Sequence, residues 1–134
     1  MALAPRIARQ VTGPSLVRKE ERRNRLAAAH VELVRQLPCA ATLSPPRNDP
    51  HHLMRGVDRG TSLKAAGRYT IPLRHDIHME ITPHGDPEAV LMARYGVAAR
   101  ELADALWAVS GDLDAMTRVV ERHHQEARRR AGNS

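Results

Sequence analysis

The sequence has very few aromatic residues: of its 134 residues none is Phe, one is Trp and two are Tyr. A chain of this length fits one domain and buries about two-thirds of its unfolded surface. Its core must therefore be built from Leu, Val, Ile, Ala and Met together with the one tryptophan, Trp107. Because many of these residues are strong helix formers, the composition predicts a mostly helical fold, which becomes α+β with the short strands expected in the histidine segment.

The sequence has one cysteine, Cys39, which excludes an intramolecular disulfide and any zinc site made of four cysteines. The lack of disulfides favours a reducing compartment. No apolar run is long enough to span a bilayer, and residues 1–17 lack the uninterrupted apolar segment of a secretion signal. The sequence therefore predicts a cytoplasmic protein without a membrane partner.

Positive charge exceeds negative charge: 21 Lys and Arg residues stand against 15 Asp and Glu residues, which gives a net charge of +6. This balance favours a polyanionic partner such as DNA or RNA, although solubility alone explains a charge of this size. Two groups of cations are candidates for binding a phosphate backbone. They are Arg18, Lys19, Arg22 and Arg23 of the first predicted helix, and Arg55, Arg59, Lys64 and Arg68 of a later loop.

Turn residues and hydrophobic periodicity divide the chain into four parts. Residues 1–17 are predicted to be a flexible arm, 18–37 a basic helix, 38–86 a core that carries the histidines, and 87–134 scaffold helices with a basic tail. The apolar stripe of the basic helix is Leu26, His30, Leu33, Val34 and Leu37. Asp86-Pro87-Glu88 is expected to begin the next scaffold helix, because Asp caps helices and Pro fits their first position.

Histidine is concentrated in one segment, since five of the eight histidines fall between residues 51 and 84. They are His51, His52, His75, His78 and His84. Histidine binds divalent metals and transfers protons near neutral pH, so this clustering predicts a metal-dependent hydrolytic site. We expect strands at 53–54 and 69–71, joined by a loop, and a helix over 74–81 that places His75 and His78 one turn apart.

Several motifs of this segment resemble HNH endonucleases of the phage-associated type. They are Leu37-Pro38-Cys39, Asp49-Pro50-His51-His52-Leu53, Lys64, Arg68-Tyr69-Thr70-Ile71-Pro72-Leu73, His78, Glu80 and Gly85-Asp86. The most specific element is a Pro-His-His-Leu block followed some twenty residues later by a Pro-Leu strand that leads into a helix with a histidine. The resemblance covers roughly residues 37–107.

The resemblance implies a ββα-metal finger, in which a small β-hairpin precedes a helix, and an endonuclease acting on duplex or branched DNA. It implies that His51 and His78 hold a divalent ion, Mg²⁺, Mn²⁺ or Zn²⁺, and that His52 is the general base. Neighbouring residues of a regular strand point to opposite faces. His51 and His52 can therefore serve one phosphate only if the strand twists or bulges between them.

Many members of this family also hold a structural zinc with a Cys-x-x-Cys pair and a Cys-x-x-His pair. The corresponding residues here are Cys39, Thr42, Arg74 and Ile77. A zinc site needs about four ligands, and three of them are missing, so the resemblance implies a variant without structural zinc. Ile77 is expected to replace the metal with apolar burial worth roughly 1.5–3 kcal/mol. The asparagine of the family motif is also not apparent near the second strand.

Each candidate residue also has a structural interpretation. His51 and His52 could form a polar turn, and His75 could be solvated or face a phosphate. The second doublet, His123-His124, is expected on a solvated helix face. The alternative function is a non-catalytic nucleic-acid-binding or interaction module derived from a degenerate HNH finger.

Overall fold

The computed structural model of the protein describes residues 14–54 and 65–132, so most of the predicted N-terminal arm lies outside it. The described chain forms helices and one two-stranded antiparallel sheet. In chain order the elements are α1 (Pro14–Val34), β1 (Asp49–His52), a 3₁₀ helix (Ala65–Arg68), β2 (Thr70–Leu73), α2 (His75–Ile81), α3 (Pro87–Tyr95), α4 (Ala99–Ala108) and α5 (Leu113–Gly132). The predicted α+β, mostly helical class is confirmed. No helix in this part of the chain combines the length and apolar character needed to cross a membrane.

The first helix, α1, begins at Pro14, inside the residues predicted to be an arm, and ends at Val34. Ala27, His30 and Val34 lie on its buried face, whereas Leu26, which was predicted to share that face, is 51 % exposed. The prediction for Leu26 is wrong because the small residue Ala27 takes the buried position. Ala27 lets the 3₁₀ helix pack closely against α1.

The two strands pair one to one along their whole length, from Asp49 opposite Leu73 to His52 opposite Thr70. The prediction of a first strand at 53–54 is wrong, because that strand begins four residues earlier. Asp, Pro and His have low strand propensity, so the sequence of β1 gives no strand signal of its own. Pairing with the β-prone residues of β2 imposes the extended conformation on it.

Buried Asn48 fixes the point at which β1 begins. Its side-chain amide donates hydrogen bonds to the carbonyl oxygens of Leu37 at 2.8 Å and Ser44 at 3.1 Å. Its backbone N–H donates to the carbonyl oxygen of Arg35 at 3.1 Å. Since an unpaired buried amide is costly, these three bonds hold the start of β1 against the end of α1.

The helix that follows the hairpin, α2, agrees with the prediction for residues 74–81. Ile77 and Ile81 form its buried face, while His75 is exposed and His78 is partly exposed. The helix packs against β1 as well as against α3. Among the described residues two strands are followed by this helix, in the predicted order, and most of the predicted loop lies outside them.

The scaffold helix α3 begins as predicted, because the Asp86 side chain accepts a hydrogen bond from the Ala89 N–H at 3.2 Å and Pro87 occupies the first helical position. It ends at Gly96, whose φ of 72° lies in the left-handed region that favours glycine. A Cβ atom at Gly96 would lie 2.2 Å from the backbone oxygen of Ala127 in α5. The turn between α3 and α4 thus packs directly on the backbone of α5.

The core is aliphatic, as the composition predicts, and Trp107 lies at its edge. The Trp107 indole contacts the ring of His30 edge to face, with 5.0 Å between ring centroids. His30 is fully buried, and one ring nitrogen, Nδ1, lies 2.6 Å from the Ser110 hydroxyl oxygen. Burial, helped by the positive charge of Arg68, lowers the pKa of His30 to about 4. His30 is therefore a neutral core residue that joins α1 to the end of α4.

The buried His30 makes the stability of the fold depend on pH. Since the pKa of His30 is about 4 in the folded protein and 6.5 when unperturbed, the unfolded chain binds an extra proton between these values. We expect the free energy of unfolding to fall by up to about 3 kcal/mol as pH drops from 6.5 to 4. Urea denaturation across this range, compared with His30→Gln, measures the effect. Equal pH slopes for the two proteins would contradict the assignment.

Candidate metal and hydrolytic site

The strand β1 presents its two histidines on opposite sides. His51 is 4 % exposed and faces the core side, together with the partly buried Asp49 two residues earlier, whereas His52 is exposed. The one-to-one register with β2 continues through the doublet. The bulge that would turn both side chains to one face is therefore absent, and β1 alternates as an ordinary strand does.

The buried histidine, His51, is paired with a carboxylate from α3. Its Nε2 lies 2.8 Å from Oε2 of Glu88, and both side chains are almost fully buried. Burial lowers the pKa of His51, and this effect outweighs the hydrogen bond and negative charge of Glu88, which raise it. The fields of His78 and His52 lower the pKa further. His51 is therefore a neutral imidazole near pH 7, which is the form that binds metals.

The helix histidine, His78, is paired with a carboxylate from β1. Its Nδ1 lies 2.9 Å from Oδ2 of Asp49, and Nδ1 of His75 lies 2.7 Å from the same oxygen. Partial burial raises the pKa of Asp49, but its hydrogen bonds and electrostatic interactions with His78 and His75 outweigh this effect and lower the pKa. His75 is exposed, as expected, but its ring is tied to the site through Asp49.

The rings of His51 and His78 lie next to each other, with 5.3 Å between their centroids and 77° between their planes. Two imidazoles that bind one ion at about 2.1 Å have centroids roughly 4.5–5.3 Å apart for tetrahedral or octahedral angles. The observed separation lies at the upper end of that range. Their spacing therefore fits a pair of ligands to one ion.

The exposed histidine, His52, lies within electrostatic range of the other two. Desolvation by the surrounding chain, followed by the field of His78, lowers the pKa of His52. The backbone of Pro50 raises the pKa of His52 by less. The structure therefore places the rings of His51 and His78 together, whereas His52 lies on the opposite side of β1 and within electrostatic range of His78.

The sequence did not identify the two carboxylates of this site. In the sequence Asp49 stands only as the first residue of the Asp-Pro-His-His-Leu motif, and Glu88 only in the predicted start of a helix. Side chains alternate along β1, so Asp49 lies on the same face as His51. A correct prediction of the strand would have indicated this. Glu88 lies 37 residues after His51, and its approach depends on how α3 packs.

Two histidines, His51 and His78, are the candidate metal ligands at this site. Among residues 14–54 and 65–132, no three His, Cys, Asp or Glu side chains form a group that could hold an ion by themselves. An ion bound by His51 and His78 would take its remaining ligands from water and substrate oxygens. Catalytic metal sites keep such open positions.

The candidate DNA-binding cations fall into three groups. Four are exposed along the N-terminal half of α1: Arg18, Lys19, Arg22 and Arg23. Three lie outside the described residues: Arg55, Arg59 and Lys64. The last, Arg68, places its guanidinium over the rings of Tyr69, at 4.9 Å, and Trp107, at 5.4 Å. Arg68 is therefore partly engaged in cation–π contacts with the protein.

The second doublet, His123-His124, was predicted to be solvated, and this is wrong for His124. The His124 side chain is 9 % exposed, and its Nδ1 lies 3.4 Å from the Ala40 carbonyl oxygen. The helix α5 packs this face against the segment after α1, which no local pattern indicates. His124 is a structural contact, distant in sequence from the histidines of the site.

The four positions that correspond to the structural zinc ligands of the family lie on segments that contact each other. The Arg74 N–H lies 3.3 Å from Sγ of buried Cys39, and the Arg74 guanidinium donates to the Ser44 hydroxyl at 3.1 Å. That hydroxyl lies 2.7 Å from the Thr42 hydroxyl. Ile77 is 2 % exposed. Hydrogen bonds and apolar burial thus join these segments.

No family model, curated protein or solved structure matches the chain. The resemblance to HNH endonucleases therefore depends on the motif residues alone.

Because Ile77 is buried, shortening its side chain is expected to lower the free energy of unfolding. We expect Ile77→Ala to lower the free energy of unfolding by about 2–4 kcal/mol, because it leaves a cavity between α2 and the core. Thr42→Ala, at an exposed position of the same cluster, is the control and should cost less than about 1 kcal/mol. Urea denaturation measures both. Similar losses for the two variants would show that Ile77 is not the main apolar contact here.

Proposed function

We propose that the chain is a metal-dependent, HNH-like endonuclease that hydrolyses DNA phosphodiester bonds. The observation that supports this most is the 5.3 Å separation of the His51 and His78 rings, which fits two ligands of one ion. His52 lies in the electrostatic field of that pair. The order of two strands and a helix that carries these residues is the order of a ββα-metal finger.

In this proposal each histidine has one role. His51 and His78 hold Mg²⁺, Mn²⁺ or Zn²⁺, and the bound ion would stabilise the charge that develops on the phosphate and the leaving oxygen. His52 accepts a proton from the attacking water, whose oxygen bonds to phosphorus as the bond to the leaving sugar oxygen breaks. The leaving oxygen then takes a proton from solvent. The lowered pKa of His52 keeps its imidazole neutral, and therefore basic, at pH 7.

DNA is the proposed substrate because of the charge on α1. The exposed cations of its N-terminal half can neutralise phosphates without reading the bases. The same helix contacts β1 and β2. The helix therefore connects a basic surface to the hairpin that carries His51 and His52.

The role of His52 as a general base predicts a loss of catalysis without a loss of structure. We expect His52→Ala to lower the rate of plasmid nicking by about two to four orders of magnitude, while thermal unfolding and metal affinity stay close to the parent values. Nicking of supercoiled plasmid with Mg²⁺, Mn²⁺ or Zn²⁺, and with a chelator, measures the rate. His84→Ala is the matched control, since His84 is an exposed histidine of the same segment. Equal rates for both variants would refute the assignment.

The role of His78 as a ligand predicts a loss of metal binding. We expect His78→Ala to weaken the binding of Mn²⁺ or Zn²⁺ to the untagged protein by at least about tenfold, because one of two protein ligands is removed. Isothermal titration calorimetry measures the affinity. His84→Ala, at an exposed position after α2, serves as the control and should retain most of it. If both variants bind as tightly as the parent, the ion is not held here.

A second function, a non-catalytic nucleic-acid-binding module, is favoured by one observation. The regular register of β1 places His51 and His52 on opposite sides of the strand, whereas the proposed catalysis needs both near one phosphate. The plasmid assay separates the two functions. DNA binding without metal-dependent nicking would support the binding module.

A further inference from the structure

We propose that Glu88 and Asp49 are positioning residues that set the tautomers of His51 and His78, so that each ring keeps one lone pair for the ion. This inference rests on the proposed metal site but not on nuclease activity. It adds two residues from different elements, α3 and β1, to a site that the motif residues define by histidines alone.

The argument begins with the hydrogen-bonding capacity of a carboxylate. An ionised carboxylate only accepts hydrogen bonds, and a neutral imidazole has one N–H donor and one acceptor nitrogen. The nitrogen that faces the carboxylate must therefore carry the proton. For His51 this nitrogen is Nε2, at 2.8 Å from Glu88, and the lone pair is left on Nδ1. For His78 it is Nδ1, at 2.9 Å from Asp49, and the lone pair is left on Nε2.

Glu88 is held in place from several directions. Its second oxygen, Oε1, accepts a hydrogen bond from the Met54 N–H at 3.1 Å, two residues beyond the end of β1. Glu88 also lies in the first turn of α3, where the helix dipole favours a negative charge and the Asp86 cap fixes the backbone. Its side chain is 10 % exposed. A carboxylate so restrained can fix the orientation of the ring that it contacts.

Asp49 serves two rings at once. One oxygen, Oδ2, lies 2.9 Å from Nδ1 of His78 and 2.7 Å from Nδ1 of His75. His75 and His78 are one turn apart on α2, so both rings reach back to the same carboxylate on β1. Asp49 therefore ties the helix to the strand at the point where His78 lies beside His51.

Such pairs have a known effect on metal sites. A histidine ligand that donates its other N–H to a carboxylate has a fixed tautomer and ring orientation and is a better donor to the metal. Removing the carboxylate typically weakens metal binding about 10- to 100-fold. Here each of the two proposed ligands has its own carboxylate, which is the pattern expected of a site built to bind an ion.

The experiment measures tautomers and zinc affinity in the untagged, full-length protein. In the metal-free parent at pH 7.5, long-range ¹H–¹⁵N correlation spectra should show the proton of His51 on Nε2 and that of His78 on Nδ1. Glu88→Gln should mix the His51 tautomers, because an amide can donate as well as accept, and should weaken Zn²⁺ binding about 10- to 100-fold. Asp49→Asn should do the same at His78, which makes the two variants independent tests.

The matched control is Glu101→Gln, which removes the same charge from a residue that lines the same surface groove as Glu88. It should leave the tautomers and the Zn²⁺ affinity unchanged. A His51 proton on Nδ1 in the parent, absence of Zn²⁺ binding, or equal effects of Glu88→Gln and Glu101→Gln would overturn the inference. Loss of the proposed nuclease activity alone would not, because neither readout involves DNA. Circular dichroism confirms that each variant is folded.

Discussion

The four cross-strand pairs between β1 and β2 decide which histidine faces the core and which faces solvent. His51 lies opposite Ile71, a fully buried residue, and this pairing places the imidazole beside α2 and α3. A slip by one residue would exchange the two sides of the strand, because side chains alternate along it. His52 would then be buried and His51 would lose Glu88. The contacts of the site all depend on this register.

Residues outside β1 stabilise its register as much as the residues of the strand itself. Four residues of low strand propensity cannot specify their own pairing, and a two-stranded sheet alone is marginal in water. Asn48 fixes the start of β1 through its hydrogen bonds to residues just after the end of α1. Ile71 and Leu73 of β2 are anchored in the aliphatic core. The polar residues of the candidate site thus lie on a hairpin that is anchored in the apolar core. Hydrogen bonds hold the polar residues, whereas apolar burial holds the hairpin.

The sequence predicts the parts of this molecule that local chemistry determines. The start of α3 follows from Asp86 and Pro87, its end follows from Gly96, and α2 follows from a segment without helix breakers. Residue type and motif spacing single out the three histidines as candidates. The position of β1 could not be found in this way, because its partner strand imposes it. The pairing of Glu88 with His51 and the burial of His124 likewise depend on how distant helices pack.

The contact between Gly96 and α5 limits how the long C-terminal helix can move. The Ala127 backbone oxygen occupies the space where a side chain at residue 96 would begin, and the Arg130 guanidinium donates to the Gly96 carbonyl oxygen at 2.6 Å. A helix with a smooth surface can slide along its own axis, whereas this close fit holds α5 at one axial position. Libraries that diversify this scaffold must therefore leave residue 96 as glycine, or the axial position of α5 will be lost along with the packing of α3 and α4.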